Sequence, residues 1–283
     1  MTKVLVTGVN GYLGPHVVEK LLAKKCLVFG VSRSFSPERS ILSSQNFIPI
    51  QKDIFESSSD FYQLAGKPDA CIHLAWQDGF VHNSPAHISN LSNHFIFLKK
   101  LIDSGLKSLA VLGSMHEIGY WEGKVSENTP CNPSTLYGIA KTALRESLFA
   151  YCKSKGCSVK WLRAYYIYGD EERSKNIFAK ILLSEKSGQK TFPFTTGTNL
   201  YDFIDIDELA EQIACSSLQN NIDGIIECCT GRPVSLATAV EQFIERRNLD
   251  IRLKYGAFPS RPYDSPGLWG DDSKIRKILN NSN

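Results

Sequence analysis

The sequence predicts an α/β protein built on a doubly wound parallel sheet, with a small discontinuous lid. Three observations carry this. Short apolar runs alternate with helical patterns over the first two-thirds of the chain. The runs are nearly continuous rather than alternating, so both faces of the sheet must be covered. Parallel neighbours also need right-handed crossovers, which wind the sheet outward from its first strand.

The elements follow in order. Val4–Thr7 reads as the first strand. Leu13–Lys24 reads as a helix, with apolar residues at 13, 17, 18, 21 and 22 on one face. Leu27–Val31 is the second strand, Phe47–Ile50 a weaker third and Ala70–Ala75 the fourth. Ile88–Ile102 is a long helix and Ser108–Leu112 the fifth strand. Ser134–Cys152 is a second long helix, and Val159–Ala164 the sixth strand. After Gly169 the rhythm breaks into a polar stretch at 170–175 and loop-like segments at 187–190 and 195–199. Phe203–Ile206 and the helix Glu208–Ser217 return to the main domain. The tail from Ile222 holds a strand, the helix Leu236–Arg247 and the prolines 259, 262 and 266. The expected division is 1–169 with 201–221 as the main domain, and 170–200 with 222–283 as the lid.

Composition excludes several classes. In a chain of 283 residues, 42% hydrophobic and 22% charged content is ordinarily globular. A net charge of +3 without a Lys/Arg block gives no reason to expect a nucleic-acid partner. No run approaches the roughly 20 apolar residues of a membrane span, so no membrane partner is expected. Met1-Thr2-Lys3 leads straight into the first strand with no signal-peptide pattern, so a cytoplasmic protein is expected. The eight cysteines form no C-x-x-C pair and read as buried free thiols, with no account of Cys228-Cys229 beyond strand packing. A single histidine accompanies Glu117, so H-E-x-x-H is absent and no metal is expected; His82, His87 and His94 read as surface or packing residues.

Chemistry concentrates in two places. Gly8, Gly11 and Gly14 lie between the first strand and first helix, interleaved with Asn10, Tyr12 and Leu13. A turn free of Cβ atoms lets a dinucleotide diphosphate approach backbone N–H groups and the positive helix end. The second strand ends in Ser32-Arg33-Ser34. An acidic residue there would take a ribose 2′-OH; a guanidinium flanked by hydroxyls suits a 2′-phosphate, which predicts NADP, with NAD as the alternative. The alternative reading of Arg33 is a solvated surface residue. Tyr137 and Lys141 stand four apart on one helix face. An ammonium beside a phenol, whose pKa is ordinarily about 10, should lower it.

These motifs occur in one register, and together they resemble the extended short-chain dehydrogenases/reductases, the NAD-dependent epimerase/dehydratase family. Val6-Thr7-Gly8-Val9-Asn10-Gly11-Tyr12-Leu13-Gly14 resembles the family's glycine fingerprint, and Asp53-Ile54 its site near the adenine. Ile72-His73-Leu74-Ala75, followed by Trp76, resembles its fourth-strand motif beside the cofactor. Tyr137-Gly138-Ile139-Ala140-Lys141 matches Y-x-x-x-K. Leu162-Arg163-Ala164-Tyr165-Tyr166-Ile167-Tyr168-Gly169 matches the strand-six motif, with Tyr165 at the cofactor, and Tyr201-Asp202-Phe203-Ile204 the returning segment. The resemblance implies a Rossmann domain at 1–169 with 201–221, and a substrate-binding lid.

It also implies catalytic roles for Ser114, Tyr137 and Lys141. Ser114 aligns with the Ser/Thr that bonds the reacting oxygen, and Lys141 would also hold the nicotinamide ribose. Asn90 matches the helix asparagine near the cofactor. Family dehydratases carry Asp-Glu after the Ser/Thr; Met115-His116 here disfavours water elimination. Gly113-Ser114 with Glu117-Ile118-Gly119 resembles bacterial nucleotide-sugar 4-ketoreductases instead. The implied partner is a nucleoside-diphosphate sugar, with dTDP as the expected carrier, in the synthesis of surface-polysaccharide sugars. His116 and Glu117 could bond the sugar or serve loop structure. Gln77, within Trp76-Gln77-Asp78-Gly79-Phe80, could grip it or be structured loop. Arg232 and Arg261 are candidates for the diphosphate. Tyr166 replaces a family asparagine and Tyr201 a family arginine, both on the substrate side. The alternatives are an epimerase that retains NAD and a non-catalytic NADP-binding regulator. A homodimer through the helices at 88–102 and 134–152 is the family's arrangement.

Overall fold

A computed structural model describes residues 1–35, 43–56, 58–259 and 265–281. The elements run β1 (Lys3–Thr7), α1 (Gly14–Ala23), β2 (Leu27–Ser32), β3 (Phe47–Gln51), α2 (Phe61–Leu64), β4 (Ala70–His73), α3 (Ala86–Ser89), α4 (Leu91–Asp103) and β5 (Ser108–Ser114). A 3₁₀ turn, Met115–Glu117, leads to β6 (Gly123–Val125), α5 (Leu136–Lys155), β7 (Ser158–Ala164), β8 (Tyr166–Tyr168) and α6 (Ile177–Lys186). The chain continues through β9 (Thr191–Pro193), β10 (Leu200–Tyr201), β11 (Phe203–Asp205), α7 (Ile206–Leu218) and β12 (Gly224–Cys228). It closes with β13 (Val234–Ser235), α8 (Leu236–Arg246), β14 (Arg252–Lys254), β15 (Gly267–Gly270) and α9 (Ser273–Asn280).

Seven parallel strands form the central sheet in the order β12-β7-β5-β4-β1-β2-β3. The order reverses between β1 and β4, and a crevice opens beyond their carboxyl ends, where open α/β sheets bind ligands. The apolar runs are buried as expected: β1 and β4 are closed on both faces. One face packs on α1, α7 and α9 through Val17, Val18, Leu21, Leu209, Ile213 and Ile278. The other packs on α4 and α5 through Phe97, Leu98, Leu101, Leu144 and Leu148. Pro49 sits in β3, which is an edge strand, where the missing N–H costs no ladder bond.

Two differences from the sequence reading have physical causes. The predicted helix 88–102 is two segments that meet at Asn90, and its i→i−4 bonds still cross the junction, from Asn90 N–H to Ala86 and from His94 N–H to Asn90. The tail from 222 does not belong wholly to the lid. β12 pairs with β7 along its length, and Ile275 and Ile278 of α9 are buried in the core beside α7. A continuous apolar strand alone does not say which sheet it joins; the open edge of β7 decided it. The lid core is separate, formed by Phe178 and Ile181 of α6, Val240 and Phe243 of α8, and Phe194 and Ile251.

Candidate active site

The glycine turn fits a dinucleotide diphosphate. Gly8 has φ +74°, and a Cβ there would lie 2.7 Å from the Ala75 nitrogen; one on Gly14 would lie 2.3 Å from the Gly8 carbonyl oxygen. Backbone is thus packed on backbone where a ligand must approach. Helix α1 begins without a side-chain cap, at Leu13, with Pro15 in its first turn. Its orphan N–H groups remain available to an anion. Asn10 Nδ2 donates to the Ser34 carbonyl and ties the turn to the end of β2, where Arg33 is exposed. Tyr12 donates from its hydroxyl to the Gly169 carbonyl at 2.5 Å, so its phenol serves to close the lid junction. Asp53 is exposed and accepts from the Phe55 N–H at 2.9 Å, while Ile54 packs on the core. Leu74 and Ala75 are bonded to Thr7 through their N–H groups, both at 3.3 Å.

The catalytic candidates converge. Ser114 ends β5, and Tyr137 and Lys141 occupy the first turns of α5, where the Thr135 hydroxyl accepts from the Gly138 N–H. The loop after β4 fixes this helix start: Asn83 Oδ1 accepts from the Leu136 N–H at 3.1 Å and the His82 carbonyl from the Tyr137 N–H at 2.9 Å. Ser114 hydrogen-bonds Tyr137 and favours its phenolate, yet burial dominates and the nearby Glu117 carboxylate adds to it, so the phenol is pushed up to about 12. Lys141 is 2% exposed, and burial pushes it down to about 7 against the pull of Glu117. Its ammonium lies 3.8 Å from the Trp76 ring centre and 5.8 Å from that of Tyr137, and donates to the Leu112 carbonyl at 2.7 Å. The expected lowering of the tyrosine by the lysine is therefore not realised in the ligand-free protein: desolvation wins over charge proximity.

Trp76 is a platform. Its ring stacks on His94 at 4.4 Å, and its indole N–H donates to His87 Nδ1 at 3.0 Å. His87 Nε2 then donates to the Val81 carbonyl, at 2.9 Å, which fixes the tautomer. His94 meets His73 at 3.0 Å; burial pushes His94 down to about 3 and His73 in the same direction. Both rings are neutral packing groups, and His87 is buried beside them. His82 is not merely packing: it stacks on Tyr137, with ring centres 5.7 Å apart, and lies 4.1 Å from His116. Sequence patterning gave no sign of this; only its loop's position after β4 pointed there. His116 stands 6.0 Å from the Tyr137 ring, and burial lowers its pKa to about 3, so it faces the site as a neutral ring.

Several candidates are corrected. Glu117 is fully buried, and its carboxylate accepts from the Ser114 N–H at 2.8 Å and the Trp161 indole at 2.7 Å. It cannot contact a sugar. Tyr165 is 5% exposed, and its hydroxyl donates to Glu227 at 2.8 Å, so its side chain points into the interior and only its backbone can reach a cofactor. Asn90 Nδ2 donates to Gln77 Oε1 at 3.2 Å, so these two brace each other at the loop. Tyr166 and Tyr201 pack together, with ring centres 4.2 Å apart, so the two departures from the family pattern form one aromatic pair. Arg232 lines a cavity of about 400 Å³ with Arg246 and Arg276, whose wall includes none of Ser114, Tyr137 and Lys141. Arg261 lies outside the described residues. One cation was missed: Arg173, in the polar stretch after β8, donates to the Asn10 carbonyl at 2.8 Å and stands at the edge of the glycine turn.

Comparison with known proteins agrees with this geometry. The family model described as "NAD dependent epimerase/dehydratase family" matches residues 4–226. A dTDP-6-deoxy-L-talose 4-dehydrogenase (NAD(+)) of Aggregatibacter actinomycetemcomitans is 42% identical over 269 residues, covering 94% of this chain and 98% of that protein. A GDP-6-deoxy-D-talose 4-dehydrogenase of the same organism is 23% identical over 290 residues, covering 99% and 92%. The structure of a UDP-N-acetylglucosamine 4-epimerase from Methanobrevibacter ruminantium M1 matches with TM-score 0.84 at 21% identity, covering 98% of this chain and 91% of that one. A UDP-glucose 4-epimerase from Thermotoga maritima matches with TM-score 0.80 at 22% identity, covering 97% and 91%. These structural likenesses concern the fold. The chain belongs to the NAD dependent epimerase/dehydratase family, the extended short-chain dehydrogenases/reductases, and is an oxidoreductase acting on a CH–OH/C=O pair.

Proposed function

We propose that this protein reduces the 4-keto group of a nucleoside-diphosphate 4-keto-6-deoxyhexose, with dTDP as the carrier. The observation that carries the chemistry is the meeting of Ser114, Tyr137 and Lys141, with Ser114 hydrogen-bonded to a phenol that can give its proton to an oxygen; the direction rests on the NADP(H) reading below. A reduced nicotinamide, when bound, supplies hydride to C4. Tyr137 gives its proton to O4, so the C=O becomes CH–OH. Ser114 accepts from the His116 N–H at 3.3 Å, which leaves its own O–H to orient that oxygen. Lys141 supplies positive charge that offsets the phenolate left behind, and by the family pattern would take the nicotinamide ribose. His116, a neutral ring, and His82 beside it wall the sugar side. The name of the 42% identical relative places a 4-dehydrogenase on a dTDP-6-deoxyhexose, the same carbon and carrier read in either direction.

The cofactor reading is NADP(H), supported by Ser32-Arg33-Ser34 and by the absence of an acidic residue among those three. A homodimer through α4 and α5 is supported by exposed Ile96 and Ile139 on those helices; light scattering tests it. An epimerase would consume no cofactor, and a regulator would turn over nothing. The deciding experiment is NADPH oxidation, followed by absorbance, with dTDP-4-keto-6-deoxyhexoses. Stoichiometric oxidation with one of them is expected. In Tyr137→Phe, turnover should fall about 10²-fold or more while NADPH still binds; undiminished turnover refutes the mechanism.

A further inference from the structure

We propose that Glu117 is a positioning residue for the reduction described above, on which reading this inference rests. From an enclosed pocket beneath the site it locks Ser114 in place and supplies the buried negative charge that Tyr137 and Lys141 face.

The lock has two points. Glu117 Oε1 accepts the Ser114 N–H, while Ser114 Oγ accepts the His116 N–H, a reciprocal box that closes the 3₁₀ turn. Ser114 is thereby held by backbone and side chain at once, while its hydroxyl bonds Tyr137. The carboxylate is itself immobile. Oε1 also takes the Trp161 indole, Oε2 takes Arg145 Nη1, and Arg163 Nη2 lies 3.6 Å away. Gly113 makes room for it: a Cβ there would fall 2.2 Å from the Trp161 nitrogen and 2.8 Å from Glu117 Oε1. Gly113, Ser114, Glu117 and Trp161 form one interdependent set.

The charge is set as firmly. Arg145 from α5 and Arg163 from β7 face Glu117, and Glu227 from β12 pairs with Arg163 at 2.6 Å, giving two buried guanidiniums against two buried carboxyls. The titratable groups facing Tyr137 are His82 from the loop after β4, His87 from α3, His116 from the 3₁₀ turn, Lys141 from its own helix, and Glu117. Those facing Lys141 are Tyr137, Glu117, His73 and His94. Glu117 is the one carboxylate named in both sets, and it raises both pKa values. Its removal lets Tyr137 and Lys141 lose their protons at lower pH.

The test compares Glu117→Gln and Trp161→Phe with the wild type. In Glu117→Gln, kcat should fall about tenfold or more, since small misplacements of a reacting group are costly. KM and NADPH affinity should stay within a few-fold. The alkaline limb of the kcat–pH profile should move to lower pH, which a merely structural role would not produce. Trp161→Phe keeps the charge and removes one donor to Oε1; kcat should fall a few-fold with the pH limb unmoved. Amide exchange at Ser114 and His116, read without substrate, should quicken in both variants. A folded Glu117→Gln with wild-type kcat and pH limb overturns the proposal. If that variant does not fold, wild-type kcat and exchange in Trp161→Phe overturn it. A wild type that turns over no nucleotide sugar refutes the functional reading, whereas the exchange result still reports on the lock.

Discussion

Replacing Lys141 with methionine should make the protein more stable and almost inactive. The ammonium is enclosed, and its pKa falls from 10.5 to about 7 because burial disfavours the charged form. Between those values the unfolded chain keeps the proton and the folded chain releases it. Folding stability therefore rises with pH across that window, and the cost of the buried charge is fully present below it. At 1.36 kcal/mol per unit the cost is about 5 kcal/mol. The cation–π contact with Trp76 returns about 2 kcal/mol, and an unsatisfied Leu112 carbonyl in the variant costs about 1 kcal/mol. The net gain at pH 7 is about 2 kcal/mol, or a Tm about 4 °C higher in a chain of this size. Near pH 10.5 the gain should vanish or reverse. Thermal unfolding of both proteins at several pH values measures this, with turnover in parallel. A Tm below the wild type at pH 7 would refute the reasoning, because the ammonium would then be a net stabiliser.

Other outcomes follow from single contacts. Gly8→Ala puts a Cβ 2.7 Å from the Ala75 nitrogen at a left-handed φ, so dinucleotide affinity should drop at least about tenfold, read by quenching of tryptophan fluorescence. Arg33→Glu should invert the ratio of NADPH to NADH efficiency; an unchanged ratio removes the case for NADP. Arg173→Ala should weaken cofactor binding by a few-fold at low salt and less at high salt, since the guanidinium stands at the turn proposed for the diphosphate.

Much of the site was legible because its chemistry is local. The glycine turn and the Tyr137/Lys141 pair depend on short spacings that a turn or helix fixes wherever they occur, and Ser114 was placed by its alignment with the family motif. Glu117 was left between a sugar contact and loop structure for the opposite reason. Its neighbours in sequence suggest a site loop, but its carboxylate is claimed by Trp161, Arg145 and Arg163 from two other elements. His82 and Arg173 were missed because both sit in loops whose position is set by what they pack against.

The same division holds for the fold. By itself the sequence determined the strand–helix rhythm, the parallel sheet and the carboxyl-end crevice, because periodicity, burial and crossover handedness are properties of segments. Only the tertiary structure decided that β12 extends the main sheet and that α9 covers it, since a short apolar strand pairs with whichever edge stands open. It also decided the ionisation of Tyr137 and Lys141. Charge proximity can be read from a spacing of four residues; desolvation is a property of everything packed around them.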